Sequence, residues 1–293
     1  MKILITGANG MLGTALCKTL KAHKHKILAT DVLTDNDSES IERLDVINKD
    51  EIFRLSYEFR PDVIFHLAAK TDVDKCESQI EHAYLVNAIG TENVALVCQQ
   101  LQVIMVYIST AAVFDGNKAE PYVESDHPNP VNIYGKTKLE GERAVERLLN
   151  KYFIIRAGWM IGGGKKDEKF VAKIVRLLKE KKEISVVNDK FGSPVFTKDL
   201  SECMANLLAT GRFGLYHIAN KGMCSRYDIA CQIVKLMDKK DVTVKPVSSA
   251  SFPLPAPRGR SEAMVNLKLK LLDLDTMRPW QEALKEYLND YFK

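Results

Sequence analysis

The sequence predicts an α/β protein built on a doubly wound parallel sheet, with a smaller C-terminal region beside it. Strand-like and helix-like segments alternate through the first half of the chain, which is typical of βαβ units. The strand-like segments are almost continuously apolar, as expected when helices cover both faces of a parallel sheet. A glycine-rich turn also separates the first strand from the first helix.

The first half contains five apolar runs that predict strands. The first run stops at Gly7, and the helix that follows has helical apolar spacing at Leu12, Leu16 and Leu20. The predicted strands cover residues 2–6, 26–30, 62–67, 103–109 and 152–157. The predicted helices cover residues 11–22, 49–59, 83–101 and 132–150.

The pattern changes after residue 157. A glycine triplet at 162–164 predicts a turn, and 252–258 is a proline-rich loop. Helices are predicted over 170–181, 200–209, 226–237 and 279–292, the last with Pro279 in its first turn. We therefore predict a dinucleotide-binding domain over 1–157 and a mainly substrate-binding domain over 158–293, with the chain able to cross back to the first.

Composition excludes several classes of protein. The 42 basic and 38 acidic residues are interspersed, which argues against nucleic-acid binding. No stretch approaches the roughly 20 apolar residues of a membrane helix, and the N-terminal apolar run is too short for a signal peptide. The six cysteines are scattered without a C-x-x-C pair, and no histidine pair has metal-ligand spacing. We expect a cytoplasmic protein with no metal site and no membrane contact.

The turn after the first strand carries Gly7, Gly10 and Gly13. Glycine permits positive φ and close approach of a ligand, and a helix N-terminus attracts a pyrophosphate. Asp31 ends the second strand, where a carboxylate can accept hydrogen bonds from a ribose. This context predicts a Rossmann-type site for NAD or NADP, although a merely tight turn is the alternative. Asp31 slightly favours NADH, while Lys24 or Lys26 keeps NADP open.

Tyr134 and Lys138 lie four residues apart, on one face of a predicted helix. A neighbouring ammonium lowers the pKa of a phenol, and the lysine can also hold the nicotinamide ribose. Thr110 follows the fourth strand, at the sheet edge where ligands bind, and can contact the same carbonyl oxygen as Tyr134. An ordinary charged surface helix is the alternative for Tyr134 and Lys138.

The chain resembles the dTDP-4-dehydrorhamnose reductases, a family of extended short-chain dehydrogenases/reductases, over essentially its whole length. The spacing of the glycine turn, T-G-x-x-G-x-x-G, already separates it from the common dehydrogenase fingerprint. The matching stretches are TGANGMLG (6–13), DVINKDEI (45–52), PDVIFHLAAKTDVDKCE (61–77), VNAIGTENVA (86–95), ISTAAVFDG (108–116), YGKTKLEGE (134–142), RAGWMIGGG (156–164), FGSP (191–194) and RPW (278–280).

The resemblance implies reduction of a nucleotide-linked 4-keto-6-deoxy sugar with NAD(P)H. It assigns three sets of residues. The cofactor set is Gly7, Gly10, Met11, Leu12, Gly13, Asp31, Asp45, Val46, Ala68, Ala69, Thr71, Tyr134 and Lys138. The catalytic set is Thr110, Tyr134 and Lys138, and the substrate set is Thr71, Val73, Thr110 and Trp159. Trp159 has a plain alternative as a core aromatic residue.

The chain departs from the family pattern in the predicted sugar pocket. Ala111 and Ala112 replace the usual aspartate and tyrosine, Ile161 replaces an aromatic residue, and the R-P-x-x-S segment becomes Arg258-Gly259-Arg260-Ser261. Deleted polar groups weaken discrimination between substrates.

Two other functions stay open at this point. An epimerase of the same superfamily would not consume cofactor, and a dinucleotide-binding regulatory subunit, such as the similar β subunit of methionine adenosyltransferase, would not turn over. A homodimer is possible. The identity of the sugar and of the nucleotide base is not predicted.

Overall fold

A computed structural model describes residues 1–33, 41–164, 167 and 169–292. The strands are β1 (Lys2–Thr6), β2 (Lys26–Asp31), β3 (Ile41–Arg43), β4 (Val63–His66), β5 (Ile104–Thr110), β6 (Tyr152–Ala157), β7 (Trp159–Ile161), β8 (Glu183–Val187), β9 (Phe191–Gly192), β10 (Pro194–Phe196), β11 (Gly214–Ile218), β12 (Cys224–Ser225), β13 (Thr243–Val247) and β14 (Ser261–Glu262).

The helices follow the predicted pattern in the first half of the chain. They are α1 (Met11–Ala22), α2 (Lys49–Phe59), α3 (Val73–Ser78), α4 (Ile80–Tyr84), α5 (Gly90–Leu101), α6 (Ile133–Leu148), α7 (Phe170–Glu180), α8 (Thr197–Thr210), α9 (Arg226–Leu236), α10 (Leu267–Leu271) and α11 (Trp280–Tyr291). A π-helical turn, Leu85–Ile89, joins α4 to α5. The helix predicted over 83–101 is therefore longer and interrupted.

Seven strands form one parallel sheet in the order β11-β6-β5-β4-β1-β2-β3. One apolar cluster joins the sheet to α1 and α8, and another joins it to α2, α5 and α6. Helices thus cover both faces, and the predicted Rossmann-type, doubly wound class is confirmed. The strand order reverses at β1 and β4, so their carboxyl ends open the crevice where ligands of such sheets bind.

The chain crosses between its two halves. β11 extends the main sheet beside β6, although it lies at 214–218, and α8 packs against α1. β11 was not predicted as a strand from the sequence. The division into domains at residue 157 stays a prediction.

The rest of the C-terminal half adds small sheets and its own apolar cluster. The strand orders are β12-β9-β14, β10-β7 and β13-β8. α7, α9 and α11 bury their apolar faces together. Pro279 lies at the N-cap of α11 and not in its first turn as predicted. None of the described helices is long and apolar enough to cross a membrane.

Candidate active site

The glycine turn lies between β1 and α1 and is shaped by close backbone packing. Gly7 has a φ of +71°, and a Cβ there would lie 2.6 Å from the amide nitrogen of Ala68. A Cβ on Gly13 would lie 2.3 Å from the carbonyl oxygen of Gly7. Gly10 is exposed, and a Cβ built on it would contact only the carbonyl oxygen of Gly7, at 3.2 Å. Packing therefore requires Gly7 and Gly13, whereas Gly10 leaves the helix N-terminus open to a ligand.

The two residues after Gly10 begin α1, so their N–H groups have no partner within the helix. Met11 is partly exposed, but the Leu12 side chain is 5% exposed and belongs to the core. Leu12 can therefore meet a pyrophosphate only through its backbone. No side chain caps this helix terminus, so the position suits an anion.

Asp31 lies at the carboxyl end of β2, next to this turn. Its carboxylate accepts hydrogen bonds from the N–H of Asn9 and from that of Leu33, both at 3.0 Å. Lys26 begins the same strand, so it lies about 17 Å away at roughly 3.3 Å per residue. Lys24 precedes it at that same edge of the sheet. The suggestion that either lysine assists NADP is therefore wrong, because both lie at the opposite edge.

Asp45 and Val46, two residues of the predicted cofactor set, follow β3. Asp45 accepts a hydrogen bond from the N–H of Ile47 at 3.0 Å. Val46 is 4% exposed and packs against Gly90. A Cβ on Gly90 would lie 2.8 Å from Cγ2 of Val46. Asn93 donates to the Val46 carbonyl at 3.1 Å. These contacts fix the segment at the carboxyl edge of the sheet.

The segment after β4 holds the remaining predicted cofactor residues. The N–H of Ala68 donates to the Thr6 hydroxyl at 3.3 Å, and Ala69 is partly exposed. Thr71 is exposed just before α3. Of these three residues, Ala68 contacts the glycine turn directly, because Gly7 packs on its backbone.

Thr110 and Tyr134 meet where β5 ends and α6 begins. Asn132 caps α6 by accepting from the N–H of Gly135 at 2.8 Å. A Cβ on Gly135 would lie 2.1 Å from the carbonyl oxygen of Ala112, so only glycine lets this turn approach the segment after Thr110. The Thr110 hydroxyl is close enough to the Tyr134 hydroxyl to lower its pKa, and it also accepts a hydrogen bond from the N–H of Ala112 at 3.1 Å.

Burial raises the pKa of Tyr134 to about 12, against the opposing effect of the Thr110 hydrogen bond. From the sequence, Lys138 was expected to lower this pKa. The structure shows a rise, because loss of hydration outweighs the favourable contacts. Tyr134 is therefore a protonated phenol at neutral pH.

Lys138 lies one turn further along α6 and is 3% exposed. Its Nζ lies 4.2 Å from the centroid of the Tyr107 ring. Burial lowers the pKa of Lys138 to about 7, while the nearby Glu142 carboxylate acts in the opposite direction. The ammonium and the free amine are thus close in free energy near neutral pH.

A buried ion pair behind Lys138 was not predicted from the sequence. Glu142 and Arg156 are 2% and 3% exposed. The Arg156 Nη2 donates to Glu142 Oε2 at 2.7 Å, and Nε donates to Oε1 at 3.0 Å. The Ser109 hydroxyl also donates to this carboxylate. This pair ties α6, which carries Lys138, to the ends of β5 and β6.

A buried polar chain near Lys138 was also not predicted from the sequence. His66 Nδ1 lies 2.9 Å from the Thr6 hydroxyl and Nε2 lies 3.0 Å from the Thr91 hydroxyl. Thr91 donates to the carbonyl of Asn87, so His66 must donate from Nε2. Burial lowers the pKa of His66 to about 3, and the Lys138 charge acts in the same direction. The chain links the glycine turn to the π-helical turn.

Of the predicted substrate residues, Val73 begins α3 and is partly exposed. Its neighbour Asp74 accepts two hydrogen bonds from Arg258, each at 3.0 Å, which ties α3 to the C-terminal half. Trp159 is partly exposed, and its Nε1 donates to Glu262 at 2.8 Å.

Ala111 and Ala112, which replace two polar residues of the family pattern, are 2% and 6% exposed. Ala111 belongs to an apolar cluster with Val113, Phe114 and Leu139. Among the described residues, no group of three histidine, cysteine or acidic side chains could hold a metal ion.

A glycine turn at the β1–α1 junction and a Thr110–Tyr134–Lys138 set at the same sheet edge define the short-chain dehydrogenase/reductase class. The model of a family described as "RmlD substrate binding domain" matches residues 1–293. The chain therefore belongs to this family, that of the dTDP-4-dehydrorhamnose reductases.

Individual relatives agree with this assignment. The chain is 34% identical to the spore coat polysaccharide biosynthesis protein SpsK of Bacillus subtilis, over 99% of this chain and 97% of that protein. A solved dTDP-4-dehydrorhamnose reductase of Clostridium acetobutylicum superposes with a TM-score of 0.91 at 41% identity, covering 99% of each chain. The corresponding enzyme of Bacillus anthracis, solved in complex with NADP, also has a TM-score of 0.91, at 38% identity over 99% of each chain.

Proposed function

We propose that this protein is a dTDP-4-dehydrorhamnose reductase, which reduces the C4 ketone of a dTDP-linked 4-keto-6-deoxy sugar in dTDP-L-rhamnose biosynthesis. The observation that carries the proposal is the meeting of Tyr134 and Thr110 at the sheet edge that also holds the glycine turn, with Lys138 one helical turn away. Relatives named for this reaction match over the whole chain.

The residues at the turn fit a nicotinamide dinucleotide. Gly10 has no Cβ in front of the uncapped start of α1, so the N–H groups there can hold the pyrophosphate. Asp31 would accept from the adenosine ribose, and Asp45 with Val46 would border the adenine. When bound, the reduced nicotinamide supplies the hydride. Lys138 would hold its ribose.

Tyr134 would give its proton to the ketone oxygen, and Thr110 would orient that oxygen by a hydrogen bond. A phenol with a raised pKa is protonated before the reaction, as a donor must be. The proton transfer leaves a phenolate, which the Lys138 ammonium would stabilise. Val73 and Trp159 would border the sugar.

The choice between the two cofactors follows from the ribose site. The Asp31 carboxylate repels a 2′-phosphate and supports NADH. The Bacillus anthracis relative was solved with NADP, which supports NADPH. Rates with both cofactors at equal concentration would decide between them. We further propose a cytoplasmic homodimer, and sedimentation of the purified protein tests the dimer.

The test follows NADH and NADPH oxidation by absorbance with enzymatically generated dTDP-4-dehydrorhamnose. We expect rapid oxidation by the wild type and a loss of at least about a hundredfold in Tyr134→Phe. The matched control is Tyr57→Phe, because Tyr57 is 57% exposed on α2. Both variants should bind cofactor.

Unchanged turnover in Tyr134→Phe would remove this residue from the mechanism. Conversion of the sugar without net cofactor consumption would identify an epimerase instead. Cofactor binding without any turnover, together with a stable protein partner, would identify a regulatory subunit.

A further inference from the structure

Trp159 is the centre of a charged assembly at the predicted sugar pocket. A Cβ on Gly192 would lie 2.3–2.6 Å from three atoms of the indole ring, so this glycine packs directly on one face. The Arg226 guanidinium carbon lies 3.9 Å from the ring centroid. Gly192 and Arg226 therefore both pack on this indole, which stays partly exposed.

The edge of the same indole holds a carboxylate. Trp159 Nε1 donates to Glu262 Oε2 at 2.8 Å, and Glu262 Oε1 has no such bond among the described residues. The Glu262 charge acts on Tyr134, where it raises the pKa of the phenol. It also acts on Arg226. The Glu262 charge therefore reaches both the proposed proton donor and the guanidinium.

The small sheet β12-β9-β14 fixes these positions. Gly192 on β9 pairs with Cys224 on one side and with Glu262 on the other. Arg226 begins α9 directly after β12. The capping box of that helix, between Ser225 and Asp228, holds its first turn. The strand pairing therefore sets both charged residues around one indole.

Arg226 is not neutralised by the carboxylates around it. No carboxylate of the described residues lies within 4.0 Å of its guanidinium, and Glu262 is beyond that distance. Phe170 lies on it, 4.9 Å from guanidinium carbon to ring centroid. Burial lowers the pKa of Arg226 to about 10, and the Arg258 charge contributes to the fall. A desolvated cation of this kind binds an anion strongly.

We propose that Arg226 binds the diphosphate of the nucleotide sugar and that Glu262 accepts a hydrogen bond from a hydroxyl of its sugar ring. This inference rests on the proposed function. In such a substrate the diphosphate is attached at C1 of the sugar, across the ring from the C4 ketone that Tyr134 would protonate. The Trp159 indole, which the family resemblance places near the sugar, contacts both Glu262 and Arg226, and the diphosphate is the anionic part of such a substrate. Trp159 then acts as a positioning residue that holds both charged groups.

The test measures binding of dTDP to the wild-type protein and to Arg226→Met by calorimetry, without any sugar. The methionine keeps an apolar stem against Trp159 and removes the charge. We expect dTDP affinity to fall at least about tenfold, because a charge-assisted contact is lost. Arg143→Met is the matched control, since Arg143 is exposed on α6 and pairs only with Glu140 among the described residues. Cofactor affinity and melting temperature verify that each variant is folded.

Two further variants separate recognition from packing. Arg226→Lys keeps the charge but loses the planar stack, so it should retain more dTDP affinity than Arg226→Met. Equal losses would indicate that Arg226 only packs on Trp159. Glu262→Gln should leave dTDP binding unchanged and raise the KM for the keto-sugar about fivefold or more.

The outcomes distinguish the inference from the proposed function. Wild-type affinity for dTDP in Arg226→Met overturns the inference, even if the protein reduces the keto-sugar normally. Failure of the wild type to bind dTDP also overturns it. Binding of dTDP through Arg226 without any reduction supports the inference and refutes the proposed function.

Discussion

Replacing Glu142 by glutamine tests whether the buried ion pair behind Lys138 stabilises the fold. The carboxylate accepts from Arg156 at 2.7, 3.0 and 3.2 Å, and also from the Ser109 hydroxyl. Glutamine has nearly the same shape, but it leaves the Arg156 guanidinium buried without a counter-charge. The change therefore isolates charge from packing.

The magnitude follows from burial. The side chains of Arg156 and Glu142 are 4% and 2% exposed, so water cannot solvate the remaining cation. Breaking one partner of such a pair costs about 3–5 kcal/mol of unfolding free energy. Glu140→Gln is the matched control, two residues away on the same helix. Its pair with Arg143 is 44% and 61% exposed, and such pairs contribute about 0–1 kcal/mol.

The assay is equilibrium unfolding in urea at neutral pH for the wild type and the two variants. We expect a difference of about 2–5 kcal/mol between Glu142→Gln and Glu140→Gln. If the two variants lose equal free energy, the ion pair does not stabilise the fold and the reasoning from burial is refuted.

Four other substitutions test the glycine turn and two buried bases. Gly13→Ala should destabilise the protein, because its Cβ would lie 2.3 Å from a carbonyl, whereas Gly10→Ala should keep the melting temperature and weaken cofactor binding. Equal melting temperatures would contradict this distinction. Lys138→Met should be more stable than the wild type, because the folded-state pKa of Lys138 is about 7. The difference in unfolding free energy should grow by at most about 1.4 kcal/mol for each unit by which the pH falls from 10 to 7. A pH-independent difference in urea midpoint would disprove that pKa. Because the folded-state pKa of His66 is about 3, the wild type should lose stability as pH falls below about 6.5. His66→Gln should lose less stability over that range, as measured by urea unfolding at each pH.

The first half of the fold could be predicted from local pattern. β1, α1, α2 and β6 begin and end where the sequence analysis placed them, because buried parallel strands are continuous apolar runs. β11 was missed, since its five residues include Gly214 and His217 and resemble a turn. The strands of two residues around Gly192 carry no periodic pattern that a sequence analysis can detect.

The candidate site likewise contains residues that short motifs predict and residues that only the fold brings together. Thr110, Tyr134 and Lys138 lie in short motifs, so their proximity follows from the carboxyl edge of the sheet and one helical turn. Glu262 and Trp159 are far apart in the sequence, and their contact depends on a small sheet that no local pattern predicts. Glu142 stood in a matched motif, but its partner Arg156 lies on another strand, so only the fold reveals the pair.

The return of β11 to the main sheet affects how this protein can be engineered. A fragment ending at residue 157 would leave the β6 edge unpaired and uncover the face of α1 that α8 covers. Exposed parallel edges of this kind favour aggregation. Exchanging the sugar pocket with that of a relative therefore requires grafting the segments around Trp159, Arg226 and Glu262 separately, while residues 197–218 remain from the host chain.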